Sequence, residues 1–300
     1  MRKQSEFSIL LVLATAAWGG TFPMVKLSLE FMSPVIFLAV RFSISAALMF
    51  PFLKRPLNLE NFREGFIAGI FLFIGYYFQT VGLYFTTPAV SGLITGFYVV
   101  LVPIFSFLVY RNIIRHRDWV AVSISMIGLV IITSGQISNT NLQIGDILTI
   151  ICAMGYAMQI IYVAKNRHID MIKFTFYQML TVFILSTIAI PTFPVYANFG
   201  SPIVLFSIFF TALVGGVLAY FIMNVSLVYV SPERASIIMV TEPVFFNFIL
   251  DCDMDIIPYN EVLVVDPSDN LVAVGKALTS GIEMKQYRKG VAVIINHHRK

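Results

Sequence analysis

Three charged side chains stand out as candidates within long apolar stretches: Lys26, Arg41 and Glu242. A charge in an apolar medium costs at least a few kcal/mol, which makes such groups functional candidates by default. The planar guanidinium of Arg41 suits a carboxylate held through two parallel hydrogen bonds. An interhelical clamp onto backbone carbonyls is the competing reading. Glu242, the only carboxylate well inside such a stretch, precedes Pro243, whose missing N–H frees a carbonyl in the preceding turn. It can carry a proton, pair with a cationic ligand, or simply mark a helix break. Lys26 lies nearer an end and reads as an anchor that reaches polar surroundings.

The uncharged candidates are Trp18, Tyr77, Gln79, Tyr98, Tyr156, Gln159, Gln178, Tyr220 and Asn224. In apolar surroundings, amides and phenols hold small polar molecules by directed hydrogen bonds, and aromatic faces attract ammonium groups. Packing competes in each case: tyrosines settle at lipid boundaries, and amides join helices with bonds worth about 1 kcal/mol. No phosphate loop, catalytic triad or Cys/His metal spacing occurs in the sequence, and Gly19-Gly20 lacks a following Lys-Ser/Thr. Cys152 and Cys252 supply no disulfide framework. The chain therefore reads as non-enzymatic, with no cofactor and no metal.

These residues must be positioned by elements suited to lipid. The 300-residue chain is 58% hydrophobic and 12% charged, against the quarter or so of charged residues usual in soluble domains. Its mean hydropathy of +0.84 exceeds what a soluble interior can absorb. Apolar blocks at about 8–29, 34–54, 64–85, 89–110, 118–135, 146–165, 171–191, 203–228 and 235–250 predict about nine transmembrane helices. Only helices or closed barrels satisfy the backbone in lipid, and the alternation of a barrel strand is missing. The connections at 28–33, 86–88, 136–145 and 192–202 contain no Lys or Arg, while the N-terminus and the intervening connections hold the bases. The positive-inside rule then makes the N-terminus cytoplasmic in a multi-pass protein of the plasma membrane. Arg2-Lys3, an apolar run and Ala14-Thr15-Ala16 also fit a signal peptide, but the loop pattern requires this first span.

The two halves resemble each other at an offset of roughly 140 residues. Ala39-Val40-Arg41-Phe42 faces Phe176-Tyr177-Gln178-Met179, and Thr86-Thr87-Pro88 faces Val230-Ser231-Pro232. Five spans per half give the second half the opposite orientation, an architecture that places sites near the midplane between halves. Trp18-Gly19-Gly20-Thr21-Phe22 with Lys26, Pro34 with Arg41-Phe42, Gly145-Asp146, Ser231-Pro232 and Thr241-Glu242-Pro243-Val244-Phe245 resemble, in order, the markers of a known family. That family is the ten-helix EamA-type branch of the drug/metabolite transporter superfamily. The resemblance implies an all-α membrane permease of two inverted five-helix repeats, 1–135 and 145–250, moving a small metabolite by alternating access. The expected cargo is an amino acid or drug-like compound, exported, with proton coupling as a further expectation. Against the family pattern, the second repeat stops near Leu250 and no tenth span follows.

Beyond Asp251 the composition changes. Residues 261–266 and 271–275 flank a turn and predict a β-hairpin, 280–284 a short helix and 290–295 another strand. These segments resemble the closing part of a PUA domain, an RNA-binding module, which implies a small β-rich tail over 256–300. Its bases, including Lys276, Lys285 and Arg288, can touch phosphate, but a solvated face is the favoured reading. Nine inserted spans would also put this tail outside the cell, so RNA is not an expected partner. A membrane-tethered RNA-binding protein and an inactive truncated or fused gene product are the alternative readings.

Overall fold

The structure is a computed structural model that describes residues 2–53, 59–111, 115–134, 144–240, 261–265, 271–277 and 293–298. The chain divides into two compact units, Met1–Val244 and Phe245–Lys300. The first unit is helical: α1 (Arg2–Ser28), α2 (Pro34–Met49), α3 (Leu59–Phe85), α4 (Pro88–Gly96), α5 (Tyr98–Tyr110), α6 (His116–Ser134), α7 (Ile144–Lys165), α8 (Met171–Ile188), α9 (Pro202–Phe210), α10 (Ala219–Tyr229) and α11 (Pro232–Met239). A π-helical segment, Thr211–Leu218, joins α9 to α10.

Local chemistry sets the boundaries. Prolines at the first turn of α2, α4, α9 and α11 supply a fixed φ where no intrahelical N–H bond is needed. The Asp170 carboxylate caps α8 by accepting from the Ile172 and Lys173 amides at 3.0 and 3.4 Å. Among the described residues, seven spans are long and apolar enough to cross a membrane. The fifth expected span is α6, with 19 residues and a charged start, and it falls outside those seven. The ninth begins as α11, while its continuation beyond Val240, Glu242 included, lies outside the described residues. Ile9, Leu13, Phe107, Leu108, Ile124, Ile131, Phe206 and Phe209 all point outward with half or more of their surface exposed, as a lipid-facing belt requires.

The connections sort onto two ends of the bundle. At one end Ser33 N–H donates to Tyr196 O at 2.8 Å, Thr86 Oγ1 donates to Asp146 Oδ1 at 2.9 Å, and the Tyr84 and Phe193 rings meet at 5.3 Å. Burial pushes the Tyr196 phenol there up to about 12, and its O–H donates to Leu29 O. At the other end His168 meets Glu60 at 3.1 Å, the Lys165 ammonium lies 4.3 Å from the centre of the Tyr110 ring, and Lys3 lies over Tyr229. Among the described residues, the first end gathers connections without bases and the second basic ones, the alternation expected from the sequence.

The halves interlock. α3 packs mainly on α7 and α8, α2 on α8, and α1 on α9, the π segment and α10. Exchanging α1 with α7, α2 with α8, and α3 with α9–α10 maps this pattern onto itself, the signature of two repeats about a pseudo-twofold axis. Glycines permit the approach: a Cβ on Gly69 would lie 2.5 Å from Thr181 Cβ, and one on Gly65 would lie 2.6 Å from Tyr177 Cβ. Gly65-xxx-Gly69 is thus the face of α3 that receives α8.

The second unit contains β1 (Glu261–Val265), β2 (Leu271–Ala277) and β3 (Val293–His298) in an antiparallel sheet of order β1-β2-β3. Glu261 stands opposite Lys276, and Ala277 opposite Val293, with irregularities at Val264/Val265 and Val274/Gly275. The third strand runs three residues further than the 290–295 expected, and the helix expected at 280–284 lies outside the described residues.

Gly69→Ala should cost roughly 1–3 kcal/mol through overpacking against Thr181. Gly20→Ala, where an added Cβ meets nothing within 4 Å, should be neutral or slightly stabilising. Thermal unfolding in detergent distinguishes them, and equal midpoints would refute this account of the α3–α8 seam.

Candidate functional site

A cavity of about 50 Å³ lies inside the first unit, between the two repeats. Six expected residues line it: Trp18 from α1, Gln79 from α3, Tyr98 from α5, Tyr156 and Gln159 from α7, and Tyr220 from α10. Tyr76, Thr21, Phe22, Thr95, Met223 and Met239 complete the described wall with Ile160. The break between α4 and α5 at Phe97 falls between Thr95 and Tyr98, so a discontinuous helix contributes both.

The wall is aromatic and amide-bearing. The Trp18 and Tyr220 rings meet edge to face at 4.9 Å, Tyr76 and Tyr156 do so at 5.6 Å, and Tyr76 lies 5.8 Å from Tyr220. Tyr156 O–H donates to Gln79 Oε1 at 2.8 Å, and Gln79 Nε2 donates to Thr95 Oγ1 at 3.3 Å. Gln159 is different. It is 1% exposed, and its Nε2 has no hydrogen-bond partner among the described residues. A buried donor left unmade costs about 1–3 kcal/mol; Gln178 Nε2, away from the cavity, is also without a partner among the described residues.

Arg41 stands one layer behind. It is 2% exposed, and its guanidinium stacks on Tyr76 with 4.8 Å to the ring centre. Nη2 donates to Tyr76 Oη and Nε to Thr211 O, each at 3.2 Å. Trp18 Nε1 donates to Gly215 O at 2.8 Å, and Ser45 Oγ donates to Ala212 O at 3.0 Å. All three acceptors belong to the π-helical segment, where the altered ladder leaves carbonyls accessible to side chains. Gly215 makes room for this clamp, since a Cβ there would lie 2.9 Å from Thr21 Cγ2 and 3.0 Å from Arg41 Nη2.

Other expected residues are not brought to this cavity. Tyr77 points elsewhere on α3, its hydroxyl 2.7 Å from Thr192 Oγ1 near the end of α8. Gln178 and Asn224 are fully buried between α8 and α10, where Asn224 Nδ2 donates to Gln178 Oε1 at 2.6 Å and to Thr175 Oγ1 at 2.8 Å. Glu242 lies outside the described residues. Sequence reasoning passed over Tyr76, although Tyr76 and Tyr220 stand at nearly the repeat offset. It named Glu242 as the only carboxylate well inside a span and did not weigh Glu64 and Asp146, which stand at the starts of spans and are buried. Tyr162 donates to Glu64, whose other oxygen pairs with Arg63 at 2.5 Å. Both carboxylates therefore join α3 or its end to α7. Among the described residues no three His, Cys, Asp or Glu side chains group as a metal site.

Residues 7–134 and 143–250 match the EamA-like transporter family, and residues 228–299 match the PUA domain, so the two matches overlap over 228–250. An uncharacterized transporter of Archaeoglobus fulgidus is 41% identical over 177 residues, 59% of this chain and 55% of that protein. On the PUA region, tRNA-guanine(15) transglycosylases of Thermoplasma volcanium and Thermoplasma acidophilum are 50% and 49% identical over 72 residues, 24% of this chain and 11% of each enzyme. The chain thus spans about half the length of the first of these relatives and about a tenth of the other two. One solved structure, described only as the crystal structure of a protein, shares the fold with a TM-score of 0.66 at 15% identity, over 80% of this chain and 85% of its own. With most of its length matched and seven candidate spans in the bundle, this multi-pass membrane protein belongs to the EamA-like transporter family.

Proposed function

We propose that the protein exports a small metabolite, an amino acid or drug-like compound, across the plasma membrane by alternating access around the central cavity. One observation carries this reading: a cavity between the repeats, walled by aromatic rings and amides from both, holds a buried donor on Gln159 with no partner among the described residues. The apolar body of the cargo stacks on Trp18 and Tyr220, and a carbonyl or carboxylate oxygen takes the Gln159 N–H. Arg41, held behind Tyr76, keeps the local potential positive and disfavours a cation at that wall. The positive-inside rule makes the base-rich end cytoplasmic, and Glu242 is the proposed proton carrier.

A second reading rests on the PUA match and its transglycosylase relatives: the tail binds RNA while the bundle holds it at the membrane. The overlap of the two matches over 228–250 also favours a third, in which a permease segment is joined to part of another protein and no longer transports.

A growth-inhibition panel of amino acids and drug-like compounds on expressing cells decides among them. Expression should raise tolerance to at least one compound, and Gln159→Leu should reduce that tolerance roughly tenfold by removing a buried donor. Tyr77→Phe, outside the cavity, should retain it. No gain in tolerance anywhere in the panel would remove the exporter reading. Salt-sensitive retention of tRNA by the full-length protein would instead establish the second.

A further inference from the structure

Empty spaces lie in line along α1 and α3. The central cavity shares Thr21, Phe22 and Gln79 with a much smaller space of about 10 Å³, whose wall adds Val25, Arg41 and Leu83. The next residues on the same helices, Lys26 and Tyr84, border a third space of about 340 Å³ with Leu29, Glu30 and Tyr196. The lining positions Trp18, Phe22, Val25 and Leu29 follow at three or four residues, as do Tyr76, Thr80 and Leu83, so one face of each helix borders the whole series.

α1 and α3 scarcely touch along this seam, although each packs extensively on the opposite repeat. A tie crosses it at Lys26. The ammonium donates to Leu83 O at 2.7 Å, to Tyr84 O at 3.3 Å and to Thr86 O at 2.9 Å. Three acceptors match the three N–H groups of an ammonium. Leu83 and Tyr84 lie in the last turn of α3, whose carbonyls lack intrahelical partners, and the cation sits at the negative pole of that helix. The tie lies beside the narrow space walled by Val25 and Leu83, between the cavity and the third space. Glu30, exposed and one turn beyond Lys26, offers the ammonium another partner when it lets go.

We propose that the transported molecule passes between the central cavity and the third space along the α1–α3 seam, and that Lys26 is the latch of this passage. With the latch closed, α1 is fastened to the end of α3, and Phe22, Val25 and Leu83 fill the neck. With it open, the two helices separate where little else joins them. The inference rests on the central cavity being the cargo site and adds the route and the residue that gates it.

The test needs no identified cargo. In the full-length protein in liposomes, with Cys152→Ala and Cys252→Ala removing both native thiols, Thr21→Cys reports access to the neck through its reaction with a charged methanethiosulfonate reagent. Ser186→Cys, fully buried on α8, reports general loosening. Lys26→Met should accelerate modification of Thr21→Cys about tenfold or more and leave Ser186→Cys unreactive, whereas Lys26→Arg should stay slow. Equal rates at Thr21→Cys with Lys26 and Met would overturn the latch. Parallel acceleration at Ser186→Cys would overturn it as well, because Lys26 would then support the fold as a whole. The reagent reads the gate alone, so failure of the latch and failure of the transport reading are separate results.

Discussion

A carbonyl released from an α-helical ladder inside lipid must find a donor, because no water is there to supply one. The inner architecture of this protein follows from that constraint. The π-helical Thr211–Leu218 exposes carbonyls, and Trp18, Arg41 and Ser45 from the opposite repeat donate to them. The end of α3 exposes more, and Lys26 takes them. Two of the scarce buried or half-buried cations thus serve backbone groups of neighbouring helices. Each such bond also ties one helix to another at a place where the helix departs from regularity.

Function grows out of the same irregularities. A bundle of regular apolar helices would close on itself with no polar group facing inward. Here the π segment, the α4–α5 break and the glycine faces hold helices apart in one region and together in another. The result is a cavity between repeats whose wall is aromatic and amide-bearing. Most of its hydrogen-bonding groups are spent on one another, as in the Tyr156–Gln79–Thr95 chain. Gln159 retains a donor, and that surplus turns a packing defect into a candidate binding site.

Much of this was legible in the sequence. The apolar blocks located the helices, and the placement of Arg and Lys foretold which connections share an end. Trp18, Gln79, Tyr98, Tyr156, Gln159 and Tyr220 were legible as candidates, with packing or a lipid boundary as the competing reading, and they line the cavity. Rotation about each helix axis was not legible. A helix that is apolar all round shows no phase, so apart from its near-repeat offset to Tyr220 nothing marked Tyr76 rather than Tyr77 as facing inward. Gln178 and Asn224 have the right chemistry, and pair with each other instead. The π segment lacks a proline or charge to announce it, and the partners of Lys26 lie near sixty residues away along the chain.

The central claim is that the helices cross lipid alternately, so that connections lacking bases share one face and basic connections the other. Single cysteines at Glu30, Thr87 and Asn198, and at Arg63, Arg115 and His168, all exposed, sample the two sets in a protein without native thiols. In intact cells a membrane-impermeant maleimide should modify the first three and reach the second three only after permeabilisation. Modification of members of both sets from the same side would contradict the account.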